Sequence, residues 1–286
     1  TTSATGRAPI ARRLPLVGGC CAAGTVVEPG ESGLPADTVV AVVGATLSEQ
    51  HNGGYCEYLR VPAAWVVEVP EAFTSRQAAA IGTAGVTSAM AVVKLEDAGV
   101  TPESGPIAVT GASGGAGSLA VALLAARGYE VTALTGKPEA EDLLRDLGAA
   151  NVAPRPDTSG TRPLERGTWA SAVDTVGGDT LAWLTRTVAP GGSIAAFGNA
   201  GGNRLTTTVL PFILRGINLL GVTVTFPAAE LRERVWELLA SSLSREALDA
   251  IATDVDFEDL DDALRRIVTT GVVGRQVVRI GGEAAV

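Results

Sequence analysis

The fold turns on Thr110-Gly111-Ala112-Ser113-Gly114-Gly115-Ala116-Gly117. Ahead of it, Ile107 to Thr110 is a short apolar run of the kind that forms a strand buried on both faces. Behind it, Ser118 to Arg127 reads as an apolar helix. Strand, glycine loop and helix in that order make a phosphate cradle. Bare glycines let the backbone approach a pyrophosphate, and the free N–H groups at the helix start face its charge.

The alternation continues outward. Strands are expected at Glu130–Leu134, Asn151–Ala153, Ala172–Thr175, Ser193–Phe197 and Asn218–Val224. Helices are expected between them at Glu139–Leu147 and Asp179–Val188. Continuous apolar strands separated by helices predict a parallel sheet covered on both faces, a doubly wound nucleotide-binding domain. The part before it is strand-rich and broken by turns, with expected strands at Gly24–Glu28, Thr38–Val43, Tyr55–Val61 and Trp65–Val69, then helical stretches Gln77–Ile81 and Thr87–Asp97. After about Phe226 come helices Ala228–Leu243 and Phe257–Val268 and a strand Arg275–Ile280. The fold class is therefore α/β. The run Asp254–Asp262 carries six acids in nine positions and reads as a solvated helix start.

The loop alone fits two dehydrogenase architectures. The short-chain type needs a tyrosine four positions before a lysine, so that the ammonium lowers the phenol pKa. The two lysines here are Lys94 and Lys137, and Met90 and Ala133 stand four before them, so that type fails. An NAD enzyme usually carries an acid about 20 residues past the loop for the ribose 2′-hydroxyl. Here the stretch is Leu134-Thr135-Gly136-Lys137, a hydroxyl, a bare backbone and an ammonium, with Arg155 after the next strand. That set suits a 2′-phosphate, hence NADPH.

Composition bounds the rest. The 286 residues are 46 % hydrophobic, enough for a sizeable core in one large or two smaller domains. Thirty-five glycines imply many tight turns. A formal charge of −9 opposes nucleic-acid and anionic-membrane partners and leaves a small molecule as the expected one. Apolar runs such as Leu119–Ala126 fall short of a bilayer span, so no membrane association is expected. Cys20, Cys21 and Cys56 form no disulfide framework and fit a cytoplasmic setting. Arg12-Arg13 followed by Leu14–Gly19 and Cys20 only faintly suggests an export signal, because Pro15 and two glycines interrupt it.

These motifs resemble the medium-chain dehydrogenase/reductase superfamily, and within it the zinc-free acrylyl-CoA reductase group, the YhdH/YhfP-type quinone oxidoreductases. The likeness runs from about Ala4 to Ile280. It is carried by His51-Asn52-Gly53-Gly54, Ile81-Gly82-Thr83-Ala84-Gly85-Val86-Thr87, Leu95-Glu96-Asp97-Ala98-Gly99-Val100, the glycine octet, Asp174-Thr175-Val176-Gly177, Thr207 to Arg215, and Gly274-Arg275.

The resemblance implies a GroES-like catalytic domain from residues 1–86 and 225–286, a Rossmann domain at 87–224, and the active site in the cleft between them. It implies NADPH held by Ser113, Gly114, Gly115, Ala116 and Gly117, with Thr135, Gly136, Lys137 and Arg155 around the 2′-phosphate. Thr83 and Gly198 would lie toward the nicotinamide, Arg275 would reach the phosphates, and the protein would be a homodimer. The implied reaction is hydride transfer to the β-carbon of an enoyl thioester such as acrylyl-CoA, with quinone or enone reduction as the alternative.

Zinc-dependent relatives carry Gly-His-Glu where this chain has Gly19-Cys20-Cys21. Three protein ligands are needed for catalytic zinc, so no metal is expected and the cysteines read as small core residues. Relatives also begin some tens of residues earlier, with a tyrosine near the nicotinamide. The sequence as printed is therefore expected to lack part of its catalytic domain, and a non-catalytic NADPH-binding protein is a third reading. No catalytic residue is assigned. His51 reads as a turn residue, Tyr55 and Tyr58 as packing on an expected strand, and Arg215 as an interface or surface ion pair.

Overall fold

The computed structural model describes residue 11, residues 14–269 and residues 271–281. Arg12-Arg13 and Ala4 lie outside the described residues.

Three strands open the chain: β1 (Cys21–Thr25), β2 (Val39–Val43) and β3 (Val66–Glu68), paired antiparallel in that order. β1 starts three residues before its predicted place, directly after Cys20. The predicted strand Tyr55–Val61 does not form. Its approach is bent because Asn52-Gly53-Gly54 stacks on the loop before β1: Gly53 N–H donates to Val17 O (2.8 Å), Gly54 N–H to Gly19 O (3.0 Å) and Tyr55 N–H to Gly18 O (3.1 Å). Those backbone donors are spent on a loop, so no ladder follows.

Helix α1 (Ser75–Asp97) is opened by a capping box in which Gln77 N–H donates to Thr74 Oγ1 and Thr74 N–H to Gln77 Oε1. The two predicted helical stretches are its halves. The gap between them holds Gly82, whose φ of 42° and ψ of −154° kink the helix. By length and composition α1 is apolar enough to cross a bilayer, contrary to the reading from Leu119–Ala126, yet most of it is buried inside the protein. It packs on α2 (Gly115–Ala126). The buried Ser88 hydroxyl sits at the contact, 2.9 Å from Ala84 O and 2.8 Å from Ala116 O.

The six-stranded sheet consists of β4 (Ile107–Thr110), β5 (Val131–Thr135), β6 (Asn151–Pro154), β7 (Trp169–Asp174), β8 (Val188–Ala196) and β9 (Asn218–Gly221). All neighbours are parallel and the order is β6-β5-β4-β7-β8-β9. This is the doubly wound order that reverses direction between its first and fourth strands. β4 and β5 are buried at every residue, as central parallel strands covered on both faces must be. Helices α3 (Glu141–Asp146), α4 (Gly178–Thr187) and α5 (Leu210–Arg215) connect the strands, and α5 is absent from the sequence reading. Ile107, Leu119, Leu123, Leu124 and Ile194 are fully buried.

The chain closes with α6 (Ala229–Ser242), α7 (Arg245–Ile251), β10 (Ala252–Asp256), α8 (Leu260–Thr269) and β11 (Arg275–Arg279). The sequence reading lacks α7 and β10. The start of the acidic run is strand β10, not a helix start. Asp254 pairs with Arg76 (2.9 Å) and Asp256 with Arg279 (2.6 Å), so cations placed by the fold let those acids sit in a strand. β10 and β11 pair in parallel. Gly274, just before β11, donates its N–H to Ser113 O (2.9 Å), which returns the end of the chain to the glycine loop.

Candidate active site

The octet lies at the carboxyl end of β4, where the strand order reverses, the place where open α/β sheets bind ligands. Gly114 caps α2, and no side chain satisfies the helix's first N–H groups. Those donors and the helix dipole suit the loop to an anion. The expected phosphate residues Ser113, Gly114, Gly115, Ala116 and Gly117 are contiguous across this turn.

At the next strand end the structure brings together the four residues expected around a 2′-phosphate. The Thr135 hydroxyl donates to Ser113 Oγ (2.7 Å) and accepts from Lys137 N–H (3.1 Å). Both hydroxyls are buried, so they brace the glycine loop against β5. Gly136 leaves its face open to Arg155: a Cβ there would stand 2.7 Å from the guanidinium carbon. Any other residue would expel Arg155 from this position. The Lys137 ammonium lies against Gly271. Among the described residues no carboxylate pairs with Lys137 or Arg155.

The other end is built on the α1 kink. A Cβ at Gly82 would stand 2.9 Å from both Cys21 Sγ and Arg275 Nη2, so the bare backbone at positive φ admits a thiol and a guanidinium to one space. Arg275 donates through Nε to Ala80 O (2.8 Å) and runs along Gly115 at the start of α2. It therefore links the phosphate cradle to the thiols. Thr83 donates to Cys20 Sγ (3.8 Å).

The neighbouring Cys20 thiol, the Arg275 charge and the polar groups of Thr83 draw the Cys21 thiol well below the usual range, against the cost of burial. Cys20 is pushed up, first by the neighbouring Cys21 and then by burial. The Tyr55 phenol lies within electrostatic reach of both sulfurs and of Arg275. Burial raises its pKa, the thiols raise it further and Arg275 opposes them.

Sequence reading missed this cluster. Tyr55 and the cysteines read as packing residues, and what joins them is the stacking of the Gly53-Gly54 turn on Gly18-Gly19, which no local pattern announces. Cys20 is exposed and Cys21 half-buried, so neither is a core residue. Tyr58 is 77 % exposed and packs nothing. His51 accepts or donates at Nδ1 with Thr46 Oγ1 (2.8 Å) and meets the Trp65 ring edge-on, as a turn residue would. Arg215 makes no ion pair among the described residues. Its guanidinium donates to the carbonyls of Arg186, Val188 and Glu165, bracing β8 from inside.

Gly198 abuts the Thr175 backbone at the switch point. There the buried Asp174 accepts from Thr110 Oγ1 (2.6 Å) and Gly177 N–H (2.8 Å). Burial raises its pKa, and these hydrogen bonds oppose that rise. An apolar pocket lined by Val43, Trp65, Val67, Phe226 and Trp236 lies elsewhere and shares no residue with the glycine loop or the thiol cluster.

The donor set does not suit zinc. A guanidinium stands beside the two sulfurs and would repel a cation, and among the described residues no three His, Cys, Asp or Glu side chains gather.

Known proteins share this fold. Residues 115–241 match the family described as zinc-binding dehydrogenase. The acrylyl-CoA reductase of Ruegeria pomeroyi is 43 % identical over 273 residues, 95 % of this chain and 83 % of its own. The YhdH oxidoreductase of Salmonella enterica, solved in complex with NADP, superposes with a TM-score of 0.94 at 39 % identity, covering 98 % of this chain and 86 % of that one. YhfP of Bacillus subtilis, whose name assigns it provisionally to the quinone oxidoreductases, is 40 % identical over 95 % of this chain and 83 % of its own. Its structure with NAD bound superposes with a TM-score of 0.90.

Proposed function

The chain belongs to the zinc-free acrylyl-CoA reductase and YhfP-type branch of the medium-chain dehydrogenases and reductases, and we propose that it uses NADPH to reduce the activated carbon–carbon double bond of an enoyl thioester such as acrylyl-CoA. The observation that carries the cofactor is Arg155 filling the space that bare Gly136 leaves, with Lys137 next along the chain and neither cation paired with a carboxylate among the described residues. A 2′-phosphate supplies the missing anion. Bound NADPH supplies a hydride.

The chain's own residues do the rest. Ser113 to Gly117 and the first turn of α2 receive the pyrophosphate. Thr135 holds the loop against β5, while Lys137 and Arg155 take the 2′-phosphate. Thr83 and Gly198 border the nicotinamide end, and Arg275 reaches from that end to the phosphates. Reduction at the β-carbon sends negative charge to the carbonyl oxygen and requires a proton at the α-carbon. Tyr55, whose ring packs on Gly18 in electrostatic reach of the thiol cluster and Arg275, is the acid assigned to that proton. A conjugated acceptor is already electrophilic and needs no Lewis acid.

Residues 1–86 with 225–286 are assigned as the GroES-like catalytic domain and 87–224 as the nucleotide domain. Three free thiols support a cytoplasmic setting. A homodimer is supported by exposed Val209, Ile213, Leu214 and Leu219 on α5, β9 and the segment before them, next to the outer edge of the sheet.

The test is oxidation of NADPH and of NADH against a panel of enoyl-CoAs and soluble quinones. Turnover of acrylyl-CoA with preference for NADPH is expected. Faster turnover of quinones would favour the second reading, which the YhfP relative supports. Equal use of NADH, as the NAD bound to that relative makes a fair alternative, would remove the role given to Lys137 and Arg155.

A further inference from the structure

The cysteines are not consumed by the reductase reading, and their surroundings are unlike those of the third thiol. Cys20 and Cys21 are adjacent in the chain, and Cys20 opens to solvent. Arg275 Nη2 and Cys21 Sγ share the space that Gly82 leaves bare, and Thr83 donates to Cys20. Cys56 is half-buried and donates to Gly53 O (3.3 Å), and burial alone raises its pKa. One protein thus holds a thiol pair beside a fixed cation and a lone thiol without one.

We propose that the Cys20–Cys21 pair is a covalent capture site for α,β-unsaturated carbonyl compounds, one adduct per chain. A thiolate is a soft nucleophile and the β-carbon of such a compound is a soft electrophile. The sulfur lone pair of Cys21 forms the carbon–sulfur bond. The π pair shifts to the α-carbon, and the proton held by the neighbouring Cys20 thiol moves there. Cys20 then regains a proton from water. The product is a thioether, and no oxidant or co-reactant is required. The groups acting on Cys21 are Cys20, Thr83 and Arg275, with Tyr55 in electrostatic reach. Once one sulfur is alkylated the other loses its partner, which limits the pair to a single adduct.

The capture goes beyond the reductase reading and does not require it. Treat the full chain with acrylamide, without cofactor, and follow each cysteine peptide by mass spectrometry across pH. At pH 7 the peptide carrying Cys20 and Cys21 is expected to gain one adduct about tenfold faster than the Cys56 peptide. Its rate should rise through a midpoint below the usual thiol value of about 8.5, and that of Cys56 above it. Equal rates at the two places, or a pair midpoint at or above 8.5, would overturn the proposal. C20A is expected to slow alkylation of Cys21, because it removes the neighbouring thiol that supplies the proton; an undiminished rate would also overturn it. If that variant fails to fold, the wild-type pH profile decides by itself. The readout is labelling, so loss of NADPH oxidation would leave it untouched.

Discussion

At the scale of single residues, the proposed 2′-phosphate site rests on charge. Lys137 is half-exposed and unpaired among the described residues, so a 2′-phosphate gains a cation without breaking an ion pair. K137A is expected to weaken NADPH binding about fivefold, near 1 kcal/mol, and to leave NADH binding unchanged. Fluorescence titration with both cofactors checks it, and an equal loss for NADH would point to a merely structural lysine. The phenol of Tyr55 is a different kind of residue, placed by neighbours distant in sequence. Y55F keeps the ring against Gly18 and removes only the proton. It should lower kcat about 10- to 100-fold with little change in the KM for NADPH. A variant that raised KM at constant kcat would mark Tyr55 as a packing residue. The contrast explains what was legible. Lys137 follows its strand directly, and position along the chain fixes its place. Tyr55 depends on two glycine pairs meeting across some thirty residues, and nothing local encodes that meeting.

At the scale of elements, the parts read best are those whose burial is complete. β4 and β5 are buried at every residue, and α2 from Gly117 to Leu124, because both faces of the sheet are covered, so the glycine loop between strand and helix stands out. β10 was missed for the opposite reason. Only Ala252 and Val255 are buried in it, and its acids are neutralised by Arg76 and Arg279, which come from α1 and β11. The end of β7 shows what holds the loops of the site in register. D174A would leave the Thr110 O–H and the Gly177 N–H without an acceptor, although Thr110 Oγ1 still accepts from Thr175 N–H, at a cost of about 3 kcal/mol. Urea unfolding should show that loss. L123A in α2 removes a fully buried side chain and should cost about 2–5 kcal/mol. The two differ in kind: D174A also loosens the segment that carries Gly198 and should weaken NADPH binding, whereas L123A should leave binding of the folded protein near normal.

At the scale of the whole molecule, the surface is divided between repulsion and adhesion. A formal charge of −9 keeps copies of the chain apart at long range, yet among the described residues no strand pairs with the outer edge of β9. Beside that edge Val209 is 66 % exposed, Ile213 68 % and Leu214 63 %, a grouping that a lone chain would leave against water. A two-fold pairing that covers α5 and brings two β9 strands side by side would bury these side chains and extend both sheets. Such an interface is self-complementary, so one substitution acts twice in the dimer. I213E places two carboxylates in it and is expected to shift the protein from dimer to monomer in sedimentation equilibrium at micromolar concentration. None of these residues belongs to the glycine loop or the thiol cluster, so the monomer should still bind NADPH at each chain. A wild-type chain that sediments as a monomer would remove the dimer, and a variant monomer unable to bind NADPH would mean that the interface also shapes the site.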